Sequence, residues 1–231
     1  MGGGYAIILM GKAPIPGKVK TRLCPPLSPR QAAELYTALL EDAAEETASL
    51  RGVRRYLFYS PQESKAFFSS AHYCGFALRE QAGGDLGERM AHAMGEVFSG
   101  GARRAVMIGA DCPALSAGRI RSAFAELSRG ADAVFGPAED GGVYLIGLSA
   151  AAPFMFRGIE WSTPAVLQSI LSRCRDSCMT YALLPAESDV DTPEDLAALR
   201  RWLRDRSRPP CPRTWGWLKA CRPTSPRGCA S

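Results

Sequence analysis

The feature that most narrows the possible folds is an alternation sustained from Tyr5 to Trp202. Short apolar runs suited to buried strands take turns with segments whose apolar residues recur at helical spacing. The strand-like runs are "YAIILM" (5–10), "VRRYLFY" (53–59), "ALREQ" (77–81), "AVMIG" (105–109), "ADAVFG" (131–136), "VYLIGL" (143–148) and "TYALLP" (180–185). Between them lie helix-start signals. Ser28-Pro29-Arg30-Gln31 offers a capping serine, a proline at the first helical position and a glutamine three residues after the cap. Ser60-Pro61 opens a short helix, residues 85–98 read as amphipathic helix, and Ser116 caps the next. Residues 161–175 read mostly as helix, and Thr192-Pro193 opens a last one through Trp202. Repeated strand–helix units give a mostly parallel sheet covered by helices on both faces, a three-layer α/β/α architecture. One link departs from it. Only "PAEDGG" separates the runs at Val134 and Tyr144, too short for a parallel crossover, so those two strands are expected to be antiparallel.

The net charge of +5 is unevenly placed. From Arg204 onward the chain carries seven Arg or Lys and one Asp, so the part before it is nearly neutral. That argues against a general nucleic-acid surface. The expected division is a nucleotide-binding catalytic domain over residues 1–203 and a basic, Pro- and Cys-rich tail over 204–231. Poor order is expected in that tail, with Trp215, Trp217 and Leu218 as the part able to dock. No apolar run approaches the ~20 residues needed to span a bilayer. The start, "MGGGYAIILMGK", has neither a basic leader region nor the Ser/Thr of a myristoylation site, so a cytoplasmic protein is expected. Cys174 and Cys178 are spaced as half a zinc site, but no further Cys or His pair completes it; the eight cysteines read as reduced thiols. His72 and His92 have no evident partner.

In open α/β sheets, ligands bind beyond the carboxyl ends of the strands, so the segments following each strand carry the chemistry. After the first comes "KAPIPGKVKTRL" (12–23), with Lys12, Lys18, Lys20 and Arg22 around Gly17. Like charges held this close repel, and a glycine turn after a first strand gathers backbone N–H groups; both features suit a phosphate. After the third comes "GGDLGERM". Asp85 reads as a helix cap between glycines, Gly84 permits close approach of a base or ribose, and Arg89 one turn on is either surface or a phosphate clamp. After the fourth, Asp111 stands at the rim of a buried strand, where a carboxylate needs a partner. Asp140 precedes Gly141-Gly142, a tight turn or an acceptor-side group. After the last, Asp189 and Asp191 flank Val190, so in extended chain their side chains share one side. Thr192 can cap the following helix alone, leaving both carboxylates spare. Two carboxylates held together repel unless a cation or a proton intervenes. Hard oxygen donors of this kind suit Mg²⁺ or Mn²⁺.

Six segments in this order, "KAPIPGKVKTRL", "GDLGERM", "GADCPALS", "GPAEDGGVYLIGL", "WSTPAVL" and "DVDTPEDL", resemble a bacterial family of GT-A-type glycosyltransferases related to arsenosugar biosynthesis. The family lies within the nucleotide-diphospho-sugar transferase superfamily. More distantly the chain is similar to the molybdenum cofactor and phospholactate guanylyltransferases. The resemblance spans about residues 7–203. It implies that superfamily's Rossmann-like fold, a mixed sheet with one antiparallel strand. It also implies that Asp111, Asp189 and Asp191 lie near metal or phosphate, and that the first loop is a nucleotide-phosphate site. Two positions depart from the pattern: Ala114 stands where relatives often carry a second Asp, and Val143 where an aromatic is usual.

The reading that follows is a metal-dependent transferase using a nucleotide-activated donor and a small-molecule acceptor. Sugar transfer from a nucleotide-sugar comes first, with a divalent cation on Asp111 and Asp191, plus Lys18, Lys20 and Arg22, stabilising the diphosphate leaving group and Asp140 activating or orienting the acceptor. Nucleotidyl transfer from an NTP to a phosphorylated acceptor, with pyrophosphate leaving, uses the same groups. A non-catalytic nucleotide-binding module is the third reading; it would need the basic loop but not three carboxylates around one point.

Overall fold

The structure is a computed structural model, described here for residues 4–207 and 209–221. Strands are β1 (Tyr5–Lys12), β2 (Val53–Ser60), β3 (Ala77–Glu80), β4 (Arg104–Ile108), β5 (Ala133–Pro137), β6 (Val143–Leu148) and β7 (Tyr181–Leu183). Helices are α1 (Pro29–Ala48), α2 (Lys65–Phe68), α3 (Leu86–Ser99), α4 (Ala117–Arg129), α5 (Val166–Asp176), α6 (Pro193–Arg204) and α7 (Pro212–Ala220). The strands form one sheet in the order β3-β2-β1-β4-β6-β5-β7. All pairings are parallel except those of β6, which runs antiparallel to β4 and β5. The short link after β5 thus makes a hairpin with its direct neighbour, as its length requires.

The central strands are apolar throughout because both faces are covered. Along β1, Ile7 and Leu9 enter one core and Ala6 and Ile8 the other; β4 divides Val106 and Ile108 from Ala105 and Met107 in the same way. The first core is closed by α1 and α4, the second by α3 and α5. α1 is buried on two sides. Ala33, Tyr36 and Leu40 face the sheet, while Ala32, Leu35 and Leu39 face a third core shared with α6 and α7. Its start carries the reciprocal cap expected for Ser28 and Gln31.

Two expectations are corrected. The helix expected from Trp161 begins at Val166. Ser162 has φ 68, a left-handed conformation that a helix cannot hold, and Pro164 follows it. The poor order expected after Arg204 does not hold for residues 212–220, which form helix α7 and dock through the Trp215, Trp217 and Leu218 singled out as able to do so. There Cys211, Thr214 and Leu218 are buried, and Asp42 of α1 accepts hydrogen bonds from the N–H groups of Arg213 (3.0 Å) and Thr214 (2.8 Å). The physical reason is that α1 presents an apolar flank and an acidic side chain that match the apolar and N-terminal faces of α7. The rest of that tail, residues 222–231, and the first three residues lie outside the described residues. No helix among the described residues is long and apolar enough to cross a membrane.

Candidate active site

A cavity of about 580 Å³ opens beyond the carboxyl ends of β1 and β4. Its cations are Lys12, Lys18, Lys20 and Arg22; its carboxylates are Asp111, Asp140, Asp189 and Asp191. These come from four separate stretches of chain, and local structure delivers each.

The loop after β1 is tethered by the Ala13 N–H, which donates to the Ser60 carbonyl (2.7 Å), and turns on the Lys18 N–H to Ile15 carbonyl bond (2.9 Å). Gly17 takes φ 78 within that turn. Val19 and Leu23 are buried and pin the returning chain. Between them Lys20 sits at φ 47, a left-handed conformation that costs a non-glycine residue about 1–2 kcal/mol. The Asp111 and Asp189–Asp191 segments are tied to each other by the Val190 N–H, which donates to the Asp111 carbonyl (2.9 Å). Val190 is 2% exposed and points into the core, so its two neighbours turn toward the cavity. Thr192 caps α6 without their help: its hydroxyl accepts from the Asp195 N–H, and Asp195 returns to the Thr192 N–H.

The repulsion among these carboxylates is answered in part by a cation. Lys20 buries its side chain to 4% exposure and sets its ammonium between Asp111 Oδ1, in contact, and Asp191 Oδ1, at 2.7 Å. Burial alone would lower its pKa, but the two carboxylates outweigh it, and Lys20 lies above the ordinary lysine value. Asp189 has no such partner among the described residues, where its Oδ1 is sealed from solvent and accepts no hydrogen bond. Desolvation first, then the Asp111 carboxylate, push its pKa up to about 7, against the opposing pull of Lys20.

The remaining cations are open. Lys12 and Lys18 are exposed and form no ion pair among the described residues, while Arg22, 70% exposed, comes no nearer to Asp191 than 4.0 Å. It is Lys20, and not Lys12 at the strand end, that balances the aspartates. Asp140 is exposed, with Oδ1 accepting from the Gly142 N–H (2.9 Å). Its turn is bolted to the first turn of α5 by the Leu167 N–H, which donates to the Gly141 carbonyl (3.0 Å). Gly141 has φ 89, and a Cβ there would lie 2.2 Å from the Pro164 carbonyl oxygen, so no other residue fits.

The loop after β3 contributes less than its glycines promise. Asp85 caps α3, accepting from the Glu88 N–H (2.7 Å), and Arg89 turns back to the Gly83 carbonyl (3.0 Å). Neither side chain lines the cavity, and neither Gly84 nor Gly17 does. Gln81 lines it instead, a residue that sequence reasoning passed over. Its amide NH₂ donates to the carbonyls of Gly11 (3.0 Å) and Phe58 (2.8 Å), which leaves Oε1 as the free acceptor. The one signal for it was a glutamine at a strand's carboxyl end, just before Gly-Gly-Asp. Trp161 also lines the cavity, stacked on Phe156 at 6.3 Å between ring centres.

The aspartates have the right oxygen chemistry for Mg²⁺ or Mn²⁺, but in this arrangement they do not fit one. The point on which Asp111 and Asp191 converge is filled by the Lys20 ammonium. Among the described residues, no group of three His, Cys, Asp or Glu side chains is disposed to hold a metal.

A mixed seven-stranded sheet with a basic loop after its first strand defines the class: an α/β protein of the nucleotide-diphospho-sugar transferase fold. The chain belongs to the bacterial family described as "uncharacterized protein conserved in bacteria (DUF2064)", whose model matches residues 43–163, just over half of it. A solved structure from Desulfovibrio desulfuricans G20, provisionally named a nucleotide-diphospho-sugar transferase, is 34% identical. The match covers 94% of this chain and 95% of that one, with a TM-score of 0.86. The Anaerococcus prevotii 4-diphosphocytidyl-2C-methyl-D-erythritol synthase shares the fold at 10% identity and a TM-score of 0.58, over 87% of this chain and 97% of that one. Rv0371c of Mycobacterium tuberculosis, solved in complex with manganese, shares it at 16% identity and a TM-score of 0.50, over 88% and 100% of the two chains. Among curated proteins, no sequence matches.

Proposed function

We propose that the protein is a transferase that holds the phosphates of a nucleotide-activated donor in this cavity and transfers a sugar to a small acceptor. The observation that carries the reading is the first loop. Lys12, Lys18 and Arg22 surround one cavity; among the described residues the two lysines form no ion pair and Arg22 reaches Asp191 only at 4.0 Å, while the fourth cation, Lys20, is committed to Asp111 and Asp191. Exposed cations held together at a strand's carboxyl end want an anion, and a diphosphate meets both the charge and the size of the cavity. As the glycosidic bond breaks, charge grows on the diphosphate. Cations already fixed around it stabilise that charge more than the ground state. Arg22 adds a planar fork able to take two phosphate oxygens at once. Asp140, across the cavity on the β5–β6 turn, is placed to orient an acceptor hydroxyl through the carboxylate oxygen not held by Gly142. The likeness in fold to a provisionally named nucleotide-diphospho-sugar transferase supports this reading.

A second reading rests on the charge of the same loop. Three uncommitted cations suit a triphosphate as well as a diphosphate, so nucleotidyl transfer to a phosphorylated acceptor fits the site. A shared fold with a diphosphocytidyl-erythritol synthase is in keeping with it.

The test is thermal stability of the full chain against a panel of nucleoside diphosphates, triphosphates and nucleotide-sugars, followed by a pyrophosphate assay on whichever NTP binds. A ligand specific to the folded state raises the melting temperature by mass action. Sugar transfer predicts stabilisation by one nucleotide-sugar and its diphosphate, with no pyrophosphate released. Pyrophosphate release in the presence of a phosphorylated acceptor decides for nucleotidyl transfer. No shift with any member of the panel overturns both readings.

A further inference from the structure

We propose that Lys20 is the resident cation of the Asp111–Asp191 pair. Its ammonium occupies the point at which a divalent metal would be held and keeps that metal out of the free protein. Three observations meet here. The ammonium lies between the two carboxylates, touching Asp111 and 2.7 Å from Asp191 Oδ1. A metal bound to the same oxygens at ~2.1 Å needs that volume, and its double charge repels an ammonium alongside it. The lysine is also built in rather than resting on a surface. Its side chain is 4% exposed, and its backbone holds a left-handed φ of 47 between the buried Val19 and Leu23. A strained position of this kind persists only where surrounding contacts over-determine it. Lastly, the buried ammonium already offsets part of the pair's charge, which weakens the field left to draw in a dication.

The three aspartates alone read as a metal site, and the fold's manganese-bound member Rv0371c shows that a metal can accompany this architecture elsewhere. In this chain a lysine ammonium stands within the would-be donor set. The assignment goes beyond the nucleotide reading and does not depend on it, because it concerns the protein with no nucleotide present.

The experiment titrates Mn²⁺ into the full chain, stripped of metal and nucleotide, and follows free Mn²⁺ by electron paramagnetic resonance. Wild type is compared with Lys20→Met, Lys20→Gln and Asp111→Asn, each first checked for folding by circular dichroism. Removing the ammonium leaves two facing carboxylates uncompensated, so the neutral variants should bind one Mn²⁺ per chain at least about tenfold more tightly than wild type. Adding Asp191→Asn to Lys20→Met should abolish that gain. Wild type binding Mn²⁺ as tightly as a folded Lys20 variant overturns the proposal, as does a folded variant with no gain. If neither Lys20 variant folds, the wild-type pair decides. Mn²⁺ binding lost on Asp111→Asn overturns the proposal, and binding unchanged by Asp111→Asn supports it.

Discussion

At the scale of the residue, Asp189 is the least comfortable group in the cavity. Its buried oxygen has no donor among the described residues, and its pKa is pushed up to about 7, well above the ordinary carboxylate range. A raised folded-state pKa means that the native protein holds this proton more tightly than the unfolded chain does. The stability it contributes is therefore complete below about pH 4, the unfolded value, and is lost as pH rises to about 7. Asp189→Asn removes that dependence. The variant should melt above wild type at pH 8, with the advantage shrinking toward pH 4, while all other groups titrate alike in both. Melting curves of the two proteins across this range check it; parallel profiles would show that Asp189 is solvated. The sequence placed Asp189 and Asp191 on one side of the chain, and the structure puts both in one cavity. It could not tell that one would meet an ammonium and the other none. That outcome depends on a lysine 171 residues away from Asp191 in the chain.

At the scale of the element, α7 changes the account of the C-terminal segment. Leu218 and Cys211 complete the third core, which also contains Leu23 behind the first loop and Val190 behind the Asp189–Asp191 segment. The two loops that bring Lys20 to Asp191 are thus backed by one apolar cluster, and α7 closes its outer side. Leu218→Ala should destabilise the fold by about 2–5 kcal/mol, the range for a buried leucine. Removing residues 204–231 should lower the melting temperature and also weaken nucleotide binding, since the loops lose their common support. A truncated protein with wild-type melting temperature and affinity would show that the cluster is complete without α7. Composition marked this segment as Pro- and Arg-rich and unlike the rest. Its helix was hard to foresee because nine residues are too few to be stable alone. It is held by the flank of α1 and by Asp42, neither of which is near it in sequence.

At the scale of the whole molecule, charge is divided among an almost neutral body, a basic end, and a cavity whose open cations are solvated. Because Lys12, Lys18 and Arg22 are exposed, their hold on a phosphate should be screened. Nucleotide affinity measured by calorimetry should fall several-fold between about 0.05 and 0.5 M salt, as the Debye length shrinks below the dimensions of the site. An affinity independent of salt would mean that the phosphates are held by buried groups instead.

What the sequence determined by itself was whatever depends on near neighbours. Alternating periodicity, helix caps and the six-residue "PAEDGG" link set a mostly parallel sheet with one antiparallel strand, because burial pattern and chain length act locally. Of the five loops singled out by the rule that ligands gather beyond strand ends, four supply the cations and carboxylates of the cavity. Only the tertiary structure decided which charges face each other. It turned Asp85 and Arg89 to local work, brought Gln81 into the cavity, docked α7, and placed Lys20 between Asp111 and Asp191. Those outcomes rest on a few ångströms between residues far apart in the chain. Coulomb and desolvation energies change steeply over that distance, and no local pattern records it.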